Sequence, residues 1–250
     1  MQRQRRGFTL IELLVVIAII AILMGILLPA LGRVRKQTKH VMCQTYLKQW
    51  ATMINMYCDD NNRRFTIRGG PADNGRVELA LWTYYKGSDK VRLCPLVQKA
   101  TNPGAQQGID WWGSTFTAWQ VPPWDAGGNR IIGMYGSYGI NGYLHVPYNN
   151  QTIWYKPPER FWRTLDVRGA SEIPLYLDCY FWCGWPDFDD DPPKYSDWKD
   201  KDDRNAMNRF CLNRHNQRIN AAFFDMSVRP VGLKELWVLN WHRGYDRAGP

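Results

Sequence analysis

Arg6-Gly7-Phe8-Thr9-Leu10-Ile11-Glu12 opens an apolar run that continues to Leu31, and the reading of that run decides the fold. Three arginines, Arg3, Arg5 and Arg6, stand before it, and one carboxylate, Glu12, stands inside it. Residues 8–31 are 24 positions, about 36 Å of helix against about 30 Å of bilayer hydrocarbon. A membrane-spanning helix is therefore predicted. A secretory signal shares the basic and apolar regions, but it needs its small-residue cleavage site after the apolar run, whereas Gly7 precedes it.

Glu12 then needs an explanation of its own. A charged side chain within a bilayer costs about 2.5 to 3.5 kcal/mol, less near the interface, so it calls for a cation. A cut after Gly7 would free the Phe8 amine four residues before Glu12, on the same helix face. Two such helices packed with a small axial offset would set the Phe8 ammonium of one against the Glu12 carboxylate of the other. Burial of Glu12 is then favourable only in an assembly.

These residues carry a resemblance. Gly7-Phe8-Thr9-Leu10-Ile11-Glu12 followed by Leu13-Leu14-Val15-Val16-Ile17-Ala18-Ile19-Ile20 resembles the class III signal of type IV prepilins and type II secretion pseudopilins. The resemblance implies cleavage by prepilin peptidase between Gly7 and Phe8 on the cytoplasmic side, N-methylation of Phe8, and subunit alignment by Glu12. Pro29 falls where such helices often carry a kinking proline, and it removes one helical hydrogen bond. Arg33, Arg35, Lys36 and Lys39 after the run balance the three arginines before it, so charge alone does not set orientation. The cleavage motif does, with a cytoplasmic leader.

Beyond Gly32 the pattern turns amphipathic. Cys43, Leu47, Trp50, Ile54 and Tyr57 recur at three- and four-residue steps, with Tyr46 and Met53 at the stripe's edge. The helix is predicted to reach about Tyr57 and to end in Asp59-Asp60-Asn61-Asn62, residues that favour turns. The expected organisation is a leader (1–7), a transmembrane and polymerisation helix (8–31), its amphipathic continuation (32–60) and one globular head (61–250). In the head a short helix is predicted over residues 77–85 and strands over 91–95 and 173–183. A hairpin turning at Asp225-Met226-Ser227 and a last short helix over 233–239 follow. The fold class is α+β and pilin-like: one long N-terminal helix packed on a C-terminal antiparallel β-sheet.

The head also resembles the type II secretion G-like prepilin group of planctomycete and lentisphaere bacteria. The matching pieces are Cys43 with Leu47-Lys48-Gln49, Tyr57 with Asp59-Asp60-Asn61, Cys94-Pro95, Ser137-Tyr138-Gly139-Ile140-Asn141-Gly142, and His215 with Asp225 ten residues later. Many members place Gly-His after that aspartate, where this chain has Met226-Ser227. The resemblance implies no biochemical activity for the head.

Asp187-x-Asp189-x-Asp191 copies the first three ligand positions of a calcium-binding EF-hand loop, but Pro192 replaces its glycine and Trp198 its glutamate. Similarity to G-type pseudopilins implies a Ca²⁺ in such a C-terminal loop; the alternative is a solvated acidic loop balanced by Lys194, Lys199 and Lys201. No other cofactor is expected. Six cysteines suit an oxidising compartment and allow fifteen pairings. On one strand Cys179 and Cys183 would face the same side, either placed to pair with Cys211, and Cys43 with Cys94 is a second candidate bridge. Arg214-His215 with Asp225 offers an acid and a base, or a structural hydrogen bond, with no accompanying nucleophile motif, so the chain is read as a non-enzyme.

Thirteen tryptophans raise a rival reading, in which Trp111, Trp112, Trp119, Trp124, Trp182 and Trp185 stack on glycan or single-stranded DNA. The formal charge of +9, or +6 without the leader's three arginines, permits a nucleic-acid partner without arguing for one. The leading expectation is a structural subunit, a pseudopilin or minor pilin of a type II secretion or type IV pilus-like filament. It is expected in the bacterial inner membrane as a single-pass protein with a periplasmic head. Prepilin peptidase and other pilin subunits are its expected partners. The alternative is a membrane-anchored surface protein that binds glycan or DNA.

Overall fold

The computed structural model describes residues 10–65, 67–68, 80–86, 88–97, 112–121, 124–126, 129–131, 134–153, 155–192 and 205–245. Helix α1 runs Leu10–Asp60, unbroken through Pro29. A second helix, α2, is the single turn Trp82–Tyr85. The strands are β1 (Ile67–Arg68), β2 (Trp119–Val121), β3 (Trp124–Ala126), β4 (Asn129–Ile131), β5 (Met134–Gly136) and β6 (Tyr138–Asn141), then β7 (Val146–Pro147), β8 (Pro174–Asp178), β9 (Cys183–Gly184), β10 (Arg218–Phe223) and β11 (Val228–Gly232). The architecture is α+β, as expected.

The chain divides into two compact units, Met1–Val41 and Met42–Pro250. In the first, α1 is apolar on every side: Leu10, Ile17, Ile20, Leu27 and Leu31 are all exposed, and an 18-residue window reaches a mean hydropathy of 3.1 with no residue buried. A soluble helix would hide such a surface, so this length of α1 calls for lipid or neighbouring helices.

In the second unit the same helix buries Cys43, Leu47, Trp50, Ala51, Met53, Ile54 and Cys58. This is the predicted stripe, with Ala51 and Cys58 inside it and Tyr57 at its edge. The helix stops where two residues take positive φ, Asn62 (56°) and Arg63 (59°). The Asn61 side-chain amide donates to the Tyr57 carbonyl (2.8 Å), and Arg63 pairs with Asp59 and Asp166, which fastens the exit.

The main sheet has the order β11-β10-β8-β6-β9. Its first four strands are antiparallel, with Ile219 opposite Val231, Ala221 opposite Leu177, and Gly139 also opposite Leu177 from the other side. The fifth, β9, joins β6 in parallel, with Ile140 opposite Cys183, and so adds a two-residue parallel border to the expected antiparallel sheet. One core joins the α1 stripe to Tyr138, Ile140, Leu175, Tyr176, Ala222 and Phe224. A second joins Leu177, Ala221, Phe223 and Val231 to Met207, Phe210, Leu236 and Trp241. β8 is therefore covered on both faces, which explains why it reads as a continuous apolar run rather than an alternation.

Two predicted strands come out differently. Residues 89–92 form a 3-10 turn, not a strand, because their backbone groups have other partners. The Trp50 indole donates to the Val91 carbonyl (2.7 Å), the Ser137 amide to the Arg92 carbonyl (3.0 Å), and the Cys94 amide to the Ser137 hydroxyl (2.7 Å). The 173–183 segment ends as a strand at Asp178, crosses over β6 and resumes as β9. Gly139 permits that crossing: a Cβ there would lie 2.5 Å from the Phe181 carbonyl oxygen and 2.8 Å from the Cys179 Cβ. The 225–227 hairpin and the helix at Leu233–Val238, a 3-10 helix, stand where expected. Of the predicted 77–85 helix, α2 supplies the last turn, and residues 71–79 lie outside the described residues.

Candidate functional site

Two places concentrate chemistry: the start of α1 and a buried polar cluster in the head. Gly7 and Phe8 lie outside the described residues, while Glu12 occupies the first turn of α1, where a carboxylate complements the helix dipole.

The head cluster is centred on Asp178, at the last position of β8, fully buried. Its carboxylate accepts from Arg214 Nη1 (2.7 Å) and His215 Nε2 (3.2 Å), and from the Asn220 amide (2.8 Å). Arg214 also donates to the carbonyls of Thr115 (2.7 Å), Ser137 (2.7 Å) and Ser114 (3.3 Å). Cys43 on α1 places Sγ 3.8 Å from Asp178 Oδ1, and Cys94 places Sγ 3.6 Å from His215 Nε2. The Tyr138 hydroxyl donates to Cys43 Sγ (3.2 Å).

Electrostatics follow from these neighbours. Burial pushes the Asp178 carboxyl up, but Arg214, His215 and the Asn220 amide outweigh it and hold the group at about 2. Burial depresses His215, yet Asp178 and Cys94 raise it to about 9. The Cys43 thiol is pushed up, by burial first, and Cys94 is pulled down, chiefly by its hydrogen bond from Cys43 and against its own burial.

Sequence reasoning paired His215 with Asp225, and the structure corrects this. His215 stands at the foot of β10 and Asp225 at its tip, about 20 Å along the strand, where Asp225 accepts from the Ser227 amide (2.9 Å) and hydroxyl (2.6 Å). The partner is Asp178, whose signal was a lone acid closing an apolar strand. Cys94 and Asp178 both approach the same ring nitrogen of His215, whereas a nucleophile–base relay uses both nitrogens, and Cys94 is fully buried.

Cys43, Cys58, Cys94, Cys179, Cys183 and Cys211 are all buried, and the structure shows no bridge between them. Cys43 and Cys94 do come together, within the Asp178 cluster. Because the strand breaks after Asp178, Cys179 and Cys183 do not share a strand face.

Asp187, Asp189 and Asp191 are not gathered around one point. Asp187 turns inward to Arg160, Lys156 (3.3 Å) and His242 (3.2 Å), while Asp189 and Asp191 are exposed. The 193–204 remainder of that acidic stretch lies outside the described residues. Asp190, a member of the same acidic stretch, is buried like Asp187: its carboxylate accepts from the backbone amides of Asp187 (3.1 Å) and Met207 (2.8 Å). Burial pushes Asp190 up to about 6, whereas His242, Lys156 and Arg160 overcome burial and hold Asp187 well below the carboxylate range.

The signs oppose. The Asp190 contribution is complete below about pH 4 and is lost as pH rises through about 6; that of Asp187 is present above about pH 4 and is lost on acidification. Asp190→Asn, which keeps an acceptor oxygen, is expected to raise stability at pH 8 by about 2 kcal/mol and to change it little at pH 4. Urea midpoints of the detergent-solubilised chain at the two pH values check this; an equal shift at both would contradict it.

Of the four tryptophans with described side chains that were proposed to stack on ligands, three are core. Trp119, Trp182 and Trp185 are buried, and the Trp119 indole donates to the Tyr138 carbonyl (2.9 Å). Trp112 is half-buried and stacked on Phe181 at 4.2 Å between ring centroids. Trp111 and the Trp124 side chain lie outside the described residues.

Residues 2–28 match the prokaryotic N-terminal methylation motif. The N-terminus of the chain is thus similar to that of type IV prepilins. A curated relative, the type IV wide pilus major component PilA4 of Thermus thermophilus, is 48% identical over 60 residues, which cover 24% of this chain and 46% of that protein. The chain thus spans less than half the length of the relative it matches, and no solved structure matches it. One apolar N-terminal helix behind a prepilin motif fits a membrane-anchored pilin.

Proposed function

We propose that this chain is a pilin-like filament subunit, a pseudopilin or minor pilin, anchored in the inner membrane with its head in the periplasm. Prepilin peptidase cuts between Gly7 and Phe8 and the new amine is methylated. The subunit then assembles with other pilins through residues 8–31 into a type II secretion or type IV pilus-like filament. The observation that carries the reading is an α1 segment apolar on all sides, behind the methylation motif, with a lone carboxylate, Glu12, in its first turn.

Mass spectrometry of the N-terminus, from cells with and without a prepilin peptidase, tests processing. A chain that begins at N-methylated Phe8 only when the peptidase is present is expected; retention of residues 1–7 in both would end the reading. Glu12→Ala tests alignment. It leaves the neighbour's Phe8 ammonium without its buried partner, at about 3 kcal/mol. Filament incorporation, read by cross-linking between subunits, is expected to fall about a hundredfold with membrane insertion intact. Normal assembly of the variant would remove Glu12 from the mechanism and leave the anchor.

A further inference from the structure

We propose that Cys43, Cys94, Asp178 and His215 form a structural zinc site that locks the head-borne half of α1 to the sheet. The four donors come from four separate segments: α1, the turn after residues 89–92, the end of β8, and the loop before β10. Their ligating atoms all lie within 4.8 Å of one another, and every one of the residues is buried.

Three of the six ligand-to-ligand edges lie close to those of a tetrahedron around zinc, and the other three are no longer than 4.8 Å. Bonds of about 2.3 Å to sulfur and about 2.0 Å to nitrogen or oxygen give ligand-to-ligand edges of about 3.3 to 3.8 Å. The observed edges are 3.6 Å from Cys94 Sγ to His215 Nε2, 3.2 Å from His215 Nε2 to Asp178 Oδ2, and 3.9 Å from Cys43 Sγ to Asp178 Oδ2. Two sulfurs, one imidazole and one carboxylate in a buried shell suit zinc, and four protein ligands close the coordination as in structural rather than catalytic sites.

The surroundings supply what such a site needs. Arg214 holds the other carboxylate oxygen, Oδ1, at 2.7 Å, the Asn220 amide steadies Oδ2 at 2.8 Å, and the Tyr138 hydroxyl donates to Cys43 Sγ at 3.2 Å. Charge also balances: two thiolates and one carboxylate against Zn²⁺ leave one negative charge, and the buried Arg214 guanidinium cancels it. Binding releases two protons to solvent, one from the Cys43 thiol and one shared by the Cys94–His215 pair, and leaves two thiolates and a neutral imidazole, so no oxidant or reductant takes part. The proposal stands independently of filament assembly.

Zinc is measured by elemental analysis on the full-length chain, purified in detergent under reducing conditions after growth with added zinc. One zinc ion per chain is expected. Cobalt exchanged for zinc should give the visible bands of tetrahedral Co²⁺ and a near-ultraviolet thiolate charge-transfer band. Tyr138→Phe, which keeps the ring and removes one supporting hydrogen bond, should weaken metal affinity about tenfold or more. Cys94→Ser should abolish the charge-transfer band's full intensity, and Cys211→Ser, at a thiol outside the site, should leave zinc content and spectrum unchanged. Wild-type protein without zinc, full zinc retention in Cys94→Ser, or a Cys43–Cys94 disulfide mapped in protein taken directly from the cell envelope would each overturn the proposal. The wild-type stoichiometry and cobalt spectrum decide the matter even if the Cys94 variant does not fold.

Discussion

Arg214→Ala is expected to destabilise the head by about 3 to 5 kcal/mol, a large share of the stability of an ordinary domain. The guanidinium is completely buried and donates to Asp178 and to three loop carbonyls, those of Ser114, Thr115 and Ser137. Truncation strands the Asp178 charge and leaves those carbonyls without their charged donor, and it opens a void where the side chain lay. Adding Asp178→Asn to Arg214→Ala removes the stranded charge and should recover part of the loss. Urea denaturation of the detergent-solubilised chain in the presence of chelator, followed by tryptophan fluorescence, reads both variants without a metal contribution. Equal losses in the single and double variants would show that the ion pair is not what Arg214 supplies.

Trp50→Ala should cost a similar amount, about 3 to 5 kcal/mol, by a different route. Trp50 is the largest fully buried side chain of α1, with its ring centroid 4.8 Å from that of Tyr176 on β8 and 5.1 Å from that of Tyr85 on α2. Its indole N–H also satisfies the Val91 carbonyl in the turn that replaced a predicted strand. Trp50→Phe separates the two contributions: it keeps most of the ring packing and loses the hydrogen bond, for an expected loss of about 1 to 3 kcal/mol. The same denaturation midpoints check both, and a Phe variant as unstable as the Ala variant would mean that the bond, not the packing, dominates.

The residues that were legible in sequence share one property: their partners are local. The spacing of Cys43, Leu47, Trp50 and Ile54 reports a helix face, and Asp59-Asp60-Asn61-Asn62 reports its end, because both depend on backbone geometry within a few turns. The β10–β11 hairpin was equally plain from its turn residues. What stayed hidden depends on distant chain. The strand read over residues 91–95 instead begins inside the 3-10 turn Asp89–Arg92, whose Val91 and Arg92 carbonyls accept from the Trp50 indole of α1 and the Ser137 amide. The break after Asp178 depends on Ser137 and Arg209 carbonyls capturing the Cys179 and Tyr180 amides. For the polar cluster the signal existed and went unused. A lone carboxylate in an apolar run identified Glu12, and Asp178 ends the most apolar strand of the head in the same manner. Following that rule would have directed His215 to Asp178 instead of Asp225.

The two outer strands of the main sheet bear on how such heads behave when crowded. One border is β9, only Cys183–Gly184, and the other is β11, which carries Arg229 and Pro230. A two-residue border offers almost no template for a foreign strand, and a proline with a neighbouring charge blunts a longer one. Copies at high local concentration therefore have little means of pairing through the borders of this main sheet. Strand-by-strand aggregation, the usual hazard of concentrating β-proteins, is suppressed by the shape of the borders themselves.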